Sequence, residues 1–190
     1  MRELWLARHG ETEWSRSGAH TGRTDLPLTA AGRDNAAAMG RALAGRRFTL
    51  VLTSPLGRAR ETCRLAGYGD GAEIDANLSE WDYGDYEGRK TADIQKEVPG
   101  WSLWTCGVPH GETIDQVGAR ADLVIARALQ ADGDVALFAH GHILRILAAR
   151  WLALQPDYGR LFALSTASLS TLGYERETRV ITRWNLTTSV

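Results

Sequence analysis

Short apolar runs alternate along this chain with longer amphipathic stretches, which is typical of an α/β fold. The runs at 3–7, 50–52 and 135–139 have the length of buried strands, and each stops at polar residues. Strand-like segments also occur near 168–174 and 179–184. We therefore predict an α/β domain whose first three strands lie parallel in one sheet.

The stretches between these runs carry helix signals. Thr29 is placed to cap a helix that runs through Ala44, with Gly45 closing it. Ser54 as N-cap and Pro55 at the first helical position predict a second helix. The further predicted helices cover residues 91–97, 112–129 and 143–154.

Size and charge limit what the chain can be. Its 190 residues fit one domain, 1–190, in which the Gly- and Trp-rich segment 77–109 is expected to carry specificity. With 22 Lys and Arg against 23 Asp and Glu, the charge is nearly balanced, so neither nucleic acid nor a membrane is an expected partner. The N-terminus lacks a long apolar stretch, and the two cysteines show no metal or disulfide spacing, so we expect a cytoplasmic protein.

Ionisable residues cluster where the three strands end. These positions are Arg8-His9, the stretch from Ser54 to Arg58, and His140 to His142. Because the carboxyl ends of parallel strands share one edge of a sheet, we expect these distant residues to converge there. Backbone amides at helix N-termini would help them to bind an anion.

The clustered residue types fit phosphoryl transfer. Arg8 and Arg58 offer planar forks that match phosphate oxygens, and neutral His9 is a competent nucleophile toward phosphorus. His140 would donate to the transferring group, where electrostatic stabilisation matters most. Glu80 is the candidate for protonating the leaving oxygen and for later deprotonating water.

Four sequence blocks carry a family resemblance. In order they are LARHGETEW, SPLGRARET, LSEWDYGDYEG and VALFAHGHILR, and they resemble the signature blocks of the histidine phosphatase, or phosphoglycerate-mutase-like, superfamily. The resemblance implies a three-layer α/β/α sandwich with a mostly parallel sheet and no metal or other cofactor. It implies His9 as the phosphorylated nucleophile, with Arg8, Arg58 and His140 as its phosphate pocket and Glu80 as proton donor.

Three segments look more like the sedoheptulose-1,7-bisphosphatase type than like the mutases. They are HTGRTDLPLT, EWDYGDYEG and AHGHILR. The comparison implies that Tyr83 and Arg145 contact a sugar phosphate, with Thr21 and Gly22 nearby, whereas His142 either touches substrate or packs. The expected partner is a small phosphorylated metabolite such as a sugar bisphosphate, and assembly into a homo-oligomer is left open.

Alternatives remain open at this stage. Ser15 stands where mutases usually have Asn, and the 77–109 segment is short for a mutase that must exclude water, so hydrolysis is favoured over phosphoglycerate mutation. A non-catalytic phosphate-binding module is the third hypothesis. No carboxylate or cysteine cluster completes a metal set with His140 and His142. The second His-Gly-Glu-Thr string, 110–113, is interpreted as a helix start.

Overall fold

One mixed six-stranded sheet forms the centre of the computed structural model, which describes residues 3–43 and 45–187. The strands are β1 (Leu4–Arg8), β2 (Leu50–Thr53), β3 (Glu73–Ile74), β4 (Val135–Ala139), β5 (Ser168–Glu175) and β6 (Thr178–Thr187). Their order is β3-β2-β4-β1-β5-β6. The first four are parallel, and the hairpin of β5 and β6 adds the antiparallel edge.

Helices cover both faces of this sheet. They are α1 (Glu13–Ser17), α2 (Ala30–Ala42), α3 (Gly57–Leu65), α4 (Thr91–Glu97), α5 (Leu103–Cys106), α6 (Ile114–Ala128) and α7 (Gly141–Trp151). Side chains alternate along β1, so Leu4 and Leu6 join the core under α6 and α7, whereas Trp5 and Ala7 join the core under α2 and α3. The predicted three-layer α/β/α sandwich is confirmed.

Most predicted element positions hold, and β4 and α4 have the predicted bounds. Thr29 caps α2 as predicted, its side chain accepting from the Gly32 amide; the helix ends at Ala42, and Ala44 lies outside the described residues. The helix predicted from residue 112 begins at Ile114, because Thr113 and Gln116 form a capping box.

The predicted start of α3 was wrong. The helix begins at Gly57, with Leu56 at the N-cap and no side-chain cap, so Ser54 and Pro55 precede it. The hydroxyl of Ser54 lies 2.7 Å from Nε2 of His140 on the neighbouring strand end. The same hydroxyl accepts from the Leu56 amide at 3.2 Å, so Ser54 combines a local bond just before the helix with this tertiary contact.

No helix within residues 3–43 and 45–187 has both the length and the apolar character that crossing a bilayer requires.

Candidate active site

The ends of β1 and β4 bring two histidines together. Arg8 pairs with Ala139 in the parallel register, and the His9 amide donates to the Ala139 carbonyl at 2.9 Å. The residues that follow the two strands, His9 and His140, therefore stand side by side with ring centroids 5.1 Å apart. The predicted convergence at this sheet edge is what the structure shows.

His9 is held as a neutral ring in one tautomer. Its Nδ1 lies 2.7 Å from the Gly10 carbonyl, which can only accept, so Nδ1 carries the proton and Nε2 keeps its lone pair. Burial lowers the pKa of His9 to about 3, and the charges of Arg8 and Arg58 act in the same direction. The ring is therefore uncharged at ordinary pH, with the lone pair of Nε2 free.

Gly10 fixes the turn that presents this ring. A side chain there would meet the Gly32 carbonyl oxygen, only 2.3 Å from the Cβ position, so α2 can approach because residue 10 is glycine. The Gly10 amide donates to Thr62 Oγ1 at 3.0 Å, which ties the turn to α3. The loop after β1 is thus held from both sides.

Arg8 supplies an unused donor beside His9. One end of its guanidinium donates to the Leu164 carbonyl, whereas its buried Nε has no hydrogen-bond partner. A buried donor without an acceptor is costly, and an anion bound beside it would remove that cost. The side chain also lines the cavity described below, so the arrangement suits a phosphate oxygen.

His140 is fully buried, and its tautomer is set by two neighbours. Arg58 Nε donates to Nδ1 of His140 at 3.1 Å, so the proton of the neutral ring lies on Nε2, which donates to Ser54 Oγ. Burial, followed by the charge of Arg58, lowers the pKa of His140 well below its ordinary value. His140 is therefore a neutral hydrogen-bond donor beside His9.

Arg58 is used differently from the prediction in this structure. Its terminal nitrogens donate to the carbonyls of Thr21, Gly22 and Thr24 at 2.9 to 3.1 Å, and its side chain is fully buried. It orients His140 and holds the 21–24 loop, and its positive charge lowers the pKa of His9. A direct contact with phosphate stays a prediction.

Gly22, within this loop, is packed closely against neighbouring segments. A side chain at this position would meet the Trp81 carbonyl at 2.5 Å and the Glu87 carboxylate at 2.7 Å. Its amide donates to Glu87, and its carbonyl accepts from Arg58. Gly22 therefore helps to hold the loop in place, and its neighbour Thr21 lines the cavity.

Glu80 caps the helix that follows His140. Its carboxylate accepts from the amides of His142 and Ile143 at the start of α7, each at 3.0 Å, and from the Trp81 amide. Burial raises the pKa of Glu80, but the hydrogen bond and charge of His142, with other neighbouring donors, outweigh it and hold the pKa well below the ordinary value. Glu80 is therefore an anion at ordinary pH.

A cavity of about 420 Å³ opens in front of His9 and Arg8. Tyr83 and His142 stand in one wall and share a 2.6 Å hydrogen bond between the phenol oxygen and Nδ1. Arg145 stands over the Trp104 ring, with its guanidinium carbon 4.5 Å from the ring centroid. The cavity lining further includes Ser15, Gly18, Ala19, His20, Thr21, Glu80, Thr91, Gln95, Trp101, Ser102 and Leu103.

The comparisons with known proteins agree with this geometry. The family model of the histidine phosphatase superfamily (branch 1) matches residues 4–187. The chain belongs to this superfamily.

Individual relatives narrow the activity of this histidine phosphatase. It is 41% identical over 188 residues to an acid phosphatase of Mycobacterium tuberculosis, covering 97% of this chain and 92% of that protein. It is 39% identical over 182 residues to sedoheptulose 1,7-bisphosphatase of Saccharomyces cerevisiae, covering 78% and 67%. A solved Mycobacterium tuberculosis open-reading-frame structure matches at 40% identity with a TM-score of 0.94, covering 98% of both chains. The chain is therefore a phosphoric monoester hydrolase.

Several residues lining the cavity of this histidine phosphatase escaped the sequence analysis. His20, Thr91 and Gln95 reach the site because an isolated bridge joins Ala19 to Lys90. His20 packs against Tyr83 with ring centroids 4.8 Å apart, and burial lowers its pKa to about 4. Its place inside HTGRTDLPLT was the one available signal.

Other sequence candidates lie away from the cavity of the phosphatase. The side chain of His110, in the repeated tetrapeptide, is 84% exposed and contacts Asp85. Cys63 is a buried free thiol and Cys106 an exposed one. Across residues 3–43 and 45–187, no three His, Cys, Asp or Glu side chains are grouped as metal ligands.

Proposed function

We propose that this phosphatase hydrolyses a small sugar phosphate or bisphosphate through a phosphohistidine on His9. The observation that carries the proposal is the fixed neutral tautomer of His9, which leaves the lone pair of its Nε2 free. His9 lines the cavity together with Arg8, whose Nε has no hydrogen-bond partner. A nucleophile and an anion site thus share one end of the cavity, as phosphoryl transfer requires.

In the first step, the lone pair on His9 Nε2 forms a nitrogen–phosphorus bond while the bond from phosphorus to the ester oxygen breaks. The departing oxygen takes a proton from Glu80 and leaves as an alcohol. The phosphorylated ring becomes positive, and the Gly10 carbonyl that accepts from Nδ1 stabilises that charge. Arg8 opposes the charge on the phosphoryl oxygens, and His140 donates to them once its Nε2–H turns from Ser54 to the substrate.

In the second step, water attacks the phosphohistidine. Glu80, now a carboxylate, takes one proton from the water as the new phosphorus–oxygen bond forms. The nitrogen–phosphorus bond breaks, and its electron pair returns to Nε2 of a neutral His9. Glu80 ends protonated, as it began.

Because the pKa of Glu80 is held low, we take the substrate as the source of its proton. A phosphate monoester loses its second proton near pH 6, so below that pH it enters as a monoanion. Proton transfer from this monoanion to Glu80 gives a dianion facing a carboxylic acid, which is the reactive arrangement. One proton is therefore shared between Glu80 and the substrate.

A sugar phosphate fits the rest of the cavity. Trp101 and Trp104 offer apolar faces for the carbon skeleton, whereas Thr91 and Gln95 offer hydroxyl and amide groups to sugar hydroxyls. Arg145 provides a second cation in the same cavity, suited to a second anionic group. The Saccharomyces cerevisiae relative, a bisphosphatase of a phosphorylated sugar, supports the same substrate class.

The pH profile tests this proton account. We expect kcat/KM to remain high as pH falls from 6 to about 4, because His9, with its pKa near 3, stays unprotonated. Above about pH 6 we expect kcat/KM to fall, since the substrate monoanion disappears. A loss of activity on the acid side with a midpoint near 6.5 would mean that the nucleophile titrates as an ordinary histidine.

A phosphate-release screen tests the function itself. The panel contains sugar mono- and bisphosphates, 3-phosphoglycerate and phosphopeptides, each measured with and without EDTA. We expect release from sugar phosphates that EDTA does not change, because Arg8 and the two neutral histidines supply the site. Conversion of 3-phosphoglycerate to its isomer without free phosphate would support the mutase instead. We further propose that this phosphatase acts in the cytoplasm and assembles into a homo-oligomer.

A further inference from the structure

Glu112 and Arg120 form an ion pair behind the segment that carries Glu80. Arg120 Nε and Nη2 donate to the two carboxylate oxygens of Glu112, each at 2.8 Å. The two side chains are only 18% and 22% exposed. A paired, two-bond contact of this kind is stronger and more directional than a single surface ion pair.

The other donors of Arg120 reach the backbone that leads to Glu80. Its Nη1 donates to the carbonyls of Asn77 at 2.7 Å and Ser79 at 2.9 Å. Its Nη2 lies 3.4 Å from the Glu80 carbonyl oxygen. One guanidinium thus joins three backbone carbonyls of this segment to α6, which a lysine ammonium cannot reproduce.

Glu112 holds the same segment from the other side of Glu80. Its carboxylate accepts from the Asp82 amide at 3.0 Å, and its own amide donates to the Asp82 carbonyl at 3.0 Å. Its carbonyl accepts from the indole nitrogen of Trp81 at 2.8 Å. The second His-Gly-Glu-Thr string therefore supplies the residue that fastens the segment around Glu80.

We propose that the Glu112–Arg120 pair positions the Glu80 carboxyl for proton transfer to the leaving oxygen, with Arg120 as a positioning residue. The inference rests on the acid role of Glu80 in the proposed function. Glu80 is anchored at one end by α7 and at its backbone by Arg120. A shift of about 1 Å at a reacting group can cost on the order of 100-fold in rate.

Leaving groups of different basicity separate positioning from general stability. 4-Nitrophenyl phosphate releases an anion that departs without protonation, whereas phenyl phosphate releases one that benefits from an acid. For Arg120→Met we expect kcat/KM on phenyl phosphate to fall by roughly 10- to 100-fold, because a misplaced acid loses only part of the roughly 10²- to 10⁴-fold that acid catalysis contributes. On 4-nitrophenyl phosphate we expect a fall of less than about threefold, since the nucleophile and phosphate site are untouched.

Two further variants complete the set. Arg120→Lys keeps the charge but loses the fork, so its loss on phenyl phosphate should lie between wild type and Arg120→Met. Arg150→Met is the matched control, because Arg150 on α7 makes a comparable two-bond pair with Asp122 on α6. We expect Arg150→Met to leave kcat/KM on both substrates unchanged.

Glu80→Gln separates the positioning inference from the acid role of Glu80 in the proposed function. If Glu80→Gln selectively loses kcat/KM on phenyl phosphate and the Arg120 variants do not, the positioning inference is overturned and the proposed function stands. If Glu80→Gln itself shows no selectivity, the acid role fails. An equal loss on both substrates in a folded Arg120→Lys protein, checked by thermal melting, also overturns the inference. Should Arg120→Met not fold, Arg120→Lys decides.

Discussion

Replacing His9 by alanine is expected to abolish phosphate release, with kcat/KM lower by at least about 10⁴-fold, the scale seen when a covalent nucleophile is removed. In the proposed mechanism the ring supplies the nitrogen of the nitrogen–phosphorus bond, and its Nδ1 contact with Gly10 leaves the Nε2 lone pair free for that bond. The measurement is release of inorganic phosphate from the best substrate of the screen, with thermal melting to confirm the fold.

The chain contains a matched control for this variant. His110 opens the second His-Gly-Glu-Thr string, but its side chain is 84% exposed and contacts only the region of Asp85. His110→Ala should keep wild-type kcat/KM. Substantial turnover by purified His9→Ala would contradict the mechanism, as would an equal loss in the two variants.

Arg8→Met is expected to have the second-largest effect, on the order of 10²- to 10³-fold in kcat/KM, as for loss of one preorganised donor to a transition state. Its buried Nε has no protein acceptor and its side chain lines the cavity, so we expect its guanidinium to contact a phosphoryl oxygen. Methionine keeps much of the packing volume while removing the charge. We expect inorganic phosphate, as a competitive inhibitor, to bind more weakly as well.

Arg60→Met is the control for the loss of an arginine charge, because Arg60 is exposed on α3. It should leave both kcat/KM and phosphate inhibition unchanged. If Arg8→Met kept wild-type inhibition by phosphate, the assignment of the anion site beside Arg8 would be wrong.

The elements that local patterns encode were predictable from the sequence. Strand β4 is a fully buried run of five residues, and Thr29 caps α2 through its own side chain, so neighbouring residues suffice to predict both. The meeting of His9 and His140 followed from the parallel-sheet rule, since both lie just past strand ends. These features needed no knowledge of distant contacts.

The errors arose where a distant contact outweighed a local preference. Ser54 was assigned to a helix cap, yet its hydroxyl bonds His140, which is 86 positions away along the chain. Trp81 lies fully buried in the core, where its indole donates to the Glu112 carbonyl 31 positions away along the chain. His20 was overlooked because backbone bonds to residues 88 and 89 place it in the cavity. None of these pairings leaves a periodic trace in the sequence.

The central claim is that a phosphoryl group resides on one imidazole nitrogen during every turnover. Rapid acid-free quenching of the enzyme with 4-nitrophenyl phosphate, followed by digestion and mass spectrometry, should find a mass increase of one phosphoryl group on the peptide that contains His9. The adduct should disappear on brief acid treatment and be absent from His9→Ala. Product formation at the wild-type rate with no such adduct at any quench time, or an adduct on another residue, would contradict the account.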